Sequence, residues 1–129
     1  MSAFTRKNLM EIDDATPTEL DMEGRFGRKH LDSEQLGVSY WRYGPGAHPP
    51  YGHRHGSQEE AYVVVSGSGR MKLDDEIIDL RQWDVVRVAP TVVRAFEGGP
   101  DGLVMVAVGG TRPPEGDGEL VNDFWPSGT

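Results

Sequence analysis

Apolar positions along the chain fall into short runs, alternating or rich in β-branched residues, and glycine, proline and aspartate punctuate them every 8 to 12 positions. No stretch longer than two turns keeps a helical period. The pattern predicts seven to nine short strands. Met1 to Gly24 is polar and acidic, and one short strand is expected around Leu9–Ile12, with a weaker strand signal between positions 25 and 35. Leu36–Tyr43 reads as a firm strand ending at Gly44-Pro45-Gly46. Further strands are expected over Glu60–Ser66, Arg70–Leu73, Glu76–Leu80, Asp84–Val88, Val92–Glu97 and Leu103–Val108. Gly67-Ser68-Gly69, Asp74-Asp75 and Gly98–Gly102 are read as the turns and loops between them. The tail from Gly109 looks extended, with Leu120, Val121, Phe124 and Trp125 offered to a partner surface. Strands in succession without intervening helices predict an all-β sandwich or barrel rather than a βαβ fold.

Composition narrows this picture. A chain of 129 residues is one domain by length, and 17 glycines with 9 prolines fit many turns. The absence of cysteine excludes disulfides, thiolate nucleophiles and cysteine-ligated metals. A net charge of −8 repels phosphate backbones, so nucleic acid is an improbable partner on electrostatic grounds. No apolar run reaches membrane-spanning length, and no signal-peptide core follows the basic residues near the start, so a cytoplasmic location is expected. Ser66 and Ser68 flank a turn glycine and lie in no nucleophile elbow, which sets aside serine catalysis.

The chemistry gathers in one stretch. His48, His53 and His55 are three of the four histidines, and Glu60 follows His55 after four residues. On a strand, His53 and His55 point to the same face about 6.5 Å apart. Two imidazoles at that spacing can tilt onto one cation at about 2.1 Å, and a carboxylate from the next strand can complete a face. His30 is read as an ordinary surface histidine. Glu59 faces away from Glu60, and Tyr62 is in phase with it.

The pattern His53-x-His55-x4-Glu60-x6-Gly67, preceded by Gly46, resembles the first motif of the cupin superfamily, with six residues rather than the usual five between Gly46 and His53. A second, degenerate motif aligns on Trp83 to Arg94. Trp83 stands where glycine is usual, Ala89 where proline is usual, Thr91 where glycine is usual, and Arg94 where the family places its fourth metal ligand. The resemblance implies a double-stranded β-helix, or jelly-roll barrel, over 36–108, with an N-terminal extension at 1–35 and an extended tail at 109–129. It implies His53, His55 and Glu60 as metal ligands. Family habit, with Trp41 and the Phe124-Trp125 tail as apolar material, also implies a homodimer.

Arg94 divides the functional expectation. A guanidinium cannot ligate a divalent cation, and at about 6.5 Å it repels one by roughly 5 kcal/mol at an effective dielectric of 20. Three arrangements are open. Arg94 pairs bidentately with Glu60 and no metal binds, or it anchors an anionic substrate beside a metal held by two histidines and one carboxylate, or His48 or water supplies a fourth ligand while Arg94 lies on the rim. The candidate set is therefore His53, His55 and Glu60 for a divalent metal (Fe, Mn, Ni or Zn), with Arg94, Tyr62 and His48 for a small anionic ligand. The corresponding functions are a metal-dependent, dioxygenase-like oxidoreductase and a non-catalytic binding or sensory pocket, with isomerase chemistry a more distant third.

Overall fold

A computed structural model describes residues 3–126 of the chain. Eight strands among these residues form one curled antiparallel sheet. They are β1 (Met22–Phe26), β2 (Gly37–Tyr43), β3 (Gly52–His55), β4 (Glu60–Leu73), β5 (Glu76–Arg81), β6 (Val85–Val88), β7 (Arg94–Gly109) and β8 (Gly118–Val121). The fold is an all-β jelly roll. Among the described residues, no helix is long and apolar enough to cross a membrane.

The two longest strands carry the design. β4 and β7 pair along their whole lengths, from Glu60 opposite Gly109 to Leu73 opposite Arg94. Where the sequence predicts a reversing turn at Gly67-Ser68-Gly69 and a loop at Gly98–Gly102, both strands instead continue through irregularities in the ladder. Gly67 (φ +77°) and Gly102 (φ +78°) face each other there, and a Cβ on Gly67 would strike the Gly102 carbonyl. Glycine signals a positive φ, and a positive φ builds a bulge as readily as a turn. The bulges also shift the alternation. Tyr62 and Val64 are buried before them and Met71 after them on β4, while Phe96 precedes and Leu103, Met105 and Ala107 follow on β7. Because both strands change parity together, one face stays turned to the core along the bend.

That face holds Met22, Tyr43, Tyr62, Val64, Met71, Leu80, Phe96, Leu103 and Met105. Side chains of this size contribute about 1.5–3 kcal/mol each when fully buried. The Asp74-Asp75 tip between β4 and β5 forms as predicted, with Leu73 opposite Glu76.

The ends of the chain differ from expectation. Leu9–Glu11 is a single 3-10 turn and not a strand, because the Asn8 side chain accepts the Met10 N–H at 2.9 Å and starts a local turn. The N-terminal strand comes earlier than the 25–35 signal, at β1, which pairs with β2. The tail folds back onto its own chain and buries Trp125, while Leu120 stays exposed. β8 pairs with β3, and Trp125 is 1% exposed, beneath Arg70 and edge-on to His48. Trp41 is likewise engaged within the chain, edge-on to Phe26 along a cavity wall.

Candidate functional site

A cavity of about 810 Å³ opens inside the curled sheet, walled by Met22, Trp41, Tyr43 and Phe96 and carrying His53, His55 and Glu60 on its polar side. The two histidines come from β3 and share a face, as alternate residues of a strand must. Glu60 opens β4, opposite Gly109 on one side and Val88 on the other. A carboxylate oxygen and one nitrogen of each imidazole lie within 4.8 Å of one another, so the three form a group that could hold a metal ion.

Glu60 Oε1 is the focus of the site. His55 Nε2 lies 3.2 Å from it, His53 Nε2 3.6 Å, Arg94 Nη1 3.6 Å, and the Tyr62 hydroxyl donates a short hydrogen bond to it. Burial alone would raise the Glu60 pKa, but the adjacent His53 and His55 rings and the Tyr62 hydrogen bond outweigh it and hold the carboxyl well below its usual range. Burial pushes Tyr62 well above the ordinary phenol value, with Glu60 adding to the effect, so its hydroxyl stays a donor.

The other nitrogen of His55 is committed elsewhere. Nδ1 is 2.9 Å from Asp117 Oδ1, while Asp117 Oδ2 accepts the backbone N–H groups of Ser57 and Gln58 at 2.8 and 2.7 Å. Burial works to raise the Asp117 pKa, but the N–H groups of Ser57 and Gln58 and the His55 ring outweigh it and keep the group ionised. For His55, burial pulls the pKa down, yet the carboxylates of Glu60 and Asp117 beside its ring raise it overall. A carboxylate on Nδ1 fixes the neutral tautomer with its proton there and turns the Nε2 lone pair toward Glu60. Nε2 is buried without a hydrogen-bond partner. Two acceptors 3.2 Å apart require a proton or a cation between them. Two imidazole nitrogens and one carboxylate fit Fe(II), Mn(II), Ni(II) or Zn(II). The residues present therefore fit a metal, and in its absence a proton on His55 does the same electrostatic work.

Arg94 points inward from β7, directly opposite His53 in the ladder. It has no solvent-exposed surface. Nη2 donates to the Ala89 carbonyl at 2.9 Å, while Nε and Nη1 have no hydrogen-bond partner. The bidentate pair with Glu60 is not formed and the side chain is not on the rim; Arg94 is buried among the residues that line the cavity. His48 stands apart from the trio, with Nδ1 3.7 Å from Glu97 Oε2 and its ring against Trp125. Tyr62 is 2% exposed and touches Glu60 from behind, with its hydroxyl 3.4 Å from His53 Nε2. Of the six candidates, the structure joins His53, His55, Glu60, Tyr62 and Arg94 in one network and leaves His48 outside.

Asp117 and Gln58 were missed by sequence reasoning. Gln58 bridges the site, with Nε2 3.2 Å from His55 Nδ1 and 3.5 Å from Asp117 Oδ1, and with Oε1 accepting from Arg28 at 2.8 Å. Gln58 lies three residues from His55 and was open to suspicion. Asp117 lies in a Pro/Gly-rich tail with no motif around it, and no local signal could have found it. The degenerate second motif also has a structural counterpart. Trp83, standing where the family has glycine, holds φ +73° with its side chain 66% exposed.

No family model matches the sequence, and none of the curated proteins compared with it does. Solved structures do. A cupin protein from Bacteroides fragilis is 22% identical with a TM-score of 0.69, covering 88% of this chain and 88% of its own. The Streptomyces protein PAC13, solved with uridine, is 17% identical with a TM-score of 0.75 over 94% of this chain and 92% of its own. An oxalate decarboxylase of Bacillus subtilis is 19% identical with a TM-score of 0.74, and this chain spans 33% of its length. The fold of this chain is the cupin fold.

Proposed function

Taking the cupin fold as premise, we propose that the protein is a metal-dependent oxidoreductase of dioxygenase type, with His53, His55 and Glu60 holding a divalent first-row cation and a small anionic organic ligand occupying the adjoining cavity. The observation that carries this reading is the state of His55. Its Nδ1 is engaged by Asp117, its Nε2 is buried and unpartnered, and a carboxylate oxygen faces that atom at 3.2 Å. Two histidines and one carboxylate on one face leave coordination positions open toward the cavity, the donor set suited to Fe(II). When bound, such an ion supplies Lewis acidity and one-electron redox chemistry at those positions.

The chain's own residues do the rest. Asp117 orients His55 and raises its basicity as a ligand. Tyr62 holds Glu60 Oε1 from behind, limiting rotation of the carboxylate. The walls of Met22, Trp41, Tyr43 and Phe96 keep the ligand's surroundings apolar, which strengthens charge interactions at the polar end. Arg94, lying behind Glu60, offsets the carboxylate's charge and moderates affinity for the cation.

A second reading, a metal-free binding or sensory pocket, is favoured by one contact, Arg94 Nη1 at 3.6 Å from Glu60 Oε1. Elemental analysis of protein purified without chelator, followed by calorimetric titration with Fe(II), Mn(II), Ni(II) and Zn(II), separates the two. Stoichiometric binding lost in His53→Ala and His55→Ala supports the oxidoreductase. Failure of all four ions to bind overturns it in favour of the metal-free pocket.

A further inference from the structure

The same cavity carries two cations that the reading above does not use. Arg28 and Arg112 both line it. Each is half-buried, and neither has a carboxylate within salt-bridge distance among the described residues, although six other arginines of the chain do. In a chain with 21 acidic residues against 13 basic ones, two guanidinium groups without a carboxylate partner in the lining of one cavity call for an explanation. The acidic residues nearby relieve it only in part: Asp117 and Glu60 act favourably on Arg28, but Asp117 is engaged by His55 and by the backbone N–H groups of Ser57 and Gln58. Glu119 on the same wall is taken up by Arg54 at 2.9 Å, and Glu60 is held by the histidines and Tyr62. Lys29 adds a further positive charge to the lining.

The Arg28 side is a built feature. Its Nη2 donates to Gln58 Oε1 at 2.8 Å and to the Gly110 carbonyl at 2.9 Å. Its guanidinium lies over Gly37, where a Cβ would fall 2.6 Å from Nη2. Arg112 lies over Gly116 in the same manner, with Nη1 3.0 Å from the place of a Cβ. A guanidinium anchored through one nitrogen keeps the remaining N–H donors of its fork free for an incoming acceptor. Burial, and then the positive charge of Arg112, depress the Arg28 pKa, while Asp117 and Glu60 act the other way. An anion bound beside both guanidinium groups offsets their like charge.

We infer that Arg28 and Arg112 form an anion-recognition subsite of this cavity, and that its ligand is a small organic anion whose carboxylate or phosphate head lies between the two guanidinium groups while its apolar body rests against Trp41 and Phe26. The inference rests on the cavity of the proposed function but not on the metal. Arg94 also lines the cavity, but it is completely buried, whereas Arg28 and Arg112 are half-buried. Trp41 and Phe26, edge-to-face at 5.2 Å, offer an aromatic surface on the same wall. Gln58 connects Arg28 to His55, so the head group and the His53–His55–Glu60 cluster address the same ligand from two sides.

The test uses three probes that differ only in the head group: 3-phenylpropanoate, 3-phenylpropyl phosphate and neutral 3-phenylpropanamide. Their affinities for the full chain are measured by calorimetry and by ligand-observed NMR. At least one anionic probe is expected to bind roughly tenfold or more tighter than the amide, and the tighter of the two identifies the head group. Arg112→Gln, at a residue without a hydrogen bond among the described residues, is expected to cut that preference to about threefold or less, as is Arg28→Gln. If Arg28→Gln disturbs folding through Gln58 and Gly110, Arg112→Gln decides alone. All measurements are repeated in metal-free His53→Ala protein. An arginine-dependent preference that persists there sustains the inference even if no metal binds and the oxidoreductase reading falls. Equal affinities for the anions and the amide, no binding of any probe, or a preference unchanged in Arg112→Gln would each overturn it.

Discussion

Asp117→Asn is the most revealing single substitution, because it changes no volume and forces a choice that the carboxylate avoids. In the native protein, Oδ1 takes the His55 Nδ1 proton at 2.9 Å while Oδ2 accepts from the Ser57 and Gln58 N–H groups at 2.8 and 2.7 Å. An amide has one acceptor oxygen. If it stays on the two N–H groups, the NH2 faces His55, which must then carry its proton on Nε2, where the metal lone pair is needed. If the amide turns over, His55 keeps its tautomer and two backbone donors lose their acceptor. Loss of such an outer partner costs about 10- to 100-fold in metal affinity, or roughly 1.4–2.7 kcal/mol. The metal-free protein should also lose about 2 kcal/mol, since two charge-assisted hydrogen bonds become neutral ones in a site where the side chain is 7% exposed. Metal affinity is read by competition with a chromophoric chelator, stability by urea unfolding, and the tautomer by 15N NMR of metal-free protein at alkaline pH. An unchanged Nδ1–H tautomer together with metal affinity within about twofold of wild type would refute the role given to Asp117.

Other expectations follow from the same geometry. Arg94→Met removes a buried charge with two unpartnered nitrogens, so metal affinity should rise at least about tenfold, with metal-free stability changed by no more than about 1 kcal/mol; weaker metal binding would mean that Arg94 assists the site. In the metal-free protein, the depressed carboxyls of Glu60 and Asp117 contribute stability that is present above their ordinary pKa values and is lost as pH falls through the folded ones. The raised His55 contributes in the opposite sense, fully below 6.5 and progressively less as pH rises through its folded value. A cation must displace the His55 proton, so below that value its affinity should fall about tenfold per pH unit, measurable by titration at several pH values; a flat profile would show that no proton is displaced. Trp83→Gly should stabilise the protein by about 0.5–1 kcal/mol in urea unfolding, since it relieves a left-handed backbone (φ +73°) and gives up a side chain that is 66% exposed; destabilisation would mean that the indole is held by contacts.

Much of the fold was legible, and the reasons are local. Runs of β-branched residues gave β2, β5 and β6 nearly at their observed limits, because alternation and turn residues act over a few positions. The two glycine-rich segments were read as breaks where the chain in fact runs on, since a positive φ at Gly67 or Gly102 is compatible with a turn or a bulge until the partner strand is known. Leu9–Ile12 was misread because the apolar pattern outweighed a single asparagine able to cap a turn.

The site divides in the same way. The spacing of His53, His55 and Glu60 suffices to name them, because a two-residue strand repeat puts both imidazoles on one face wherever that strand lies. The inward direction of Arg94 also followed from strand phase. What no local pattern holds is the destination of each side chain after the sheet has curled. Whether Arg94 would reach the cavity or be sealed behind Glu60 depended on the packing of β4 against β7. Asp117, 62 residues from His55, arrives only because β8 pairs with β3. Arg28 and Arg112 come to line one cavity although 84 positions separate them in the chain. Sequence alone put His53 and His55 on one face, since their relation is set by backbone period, and the motif resemblance named Glu60 as their companion. The tertiary structure decided their tautomer, their counter-charge and the wall they face, because long-range pairing brings together groups whose sequence neighbours carry no trace of the encounter.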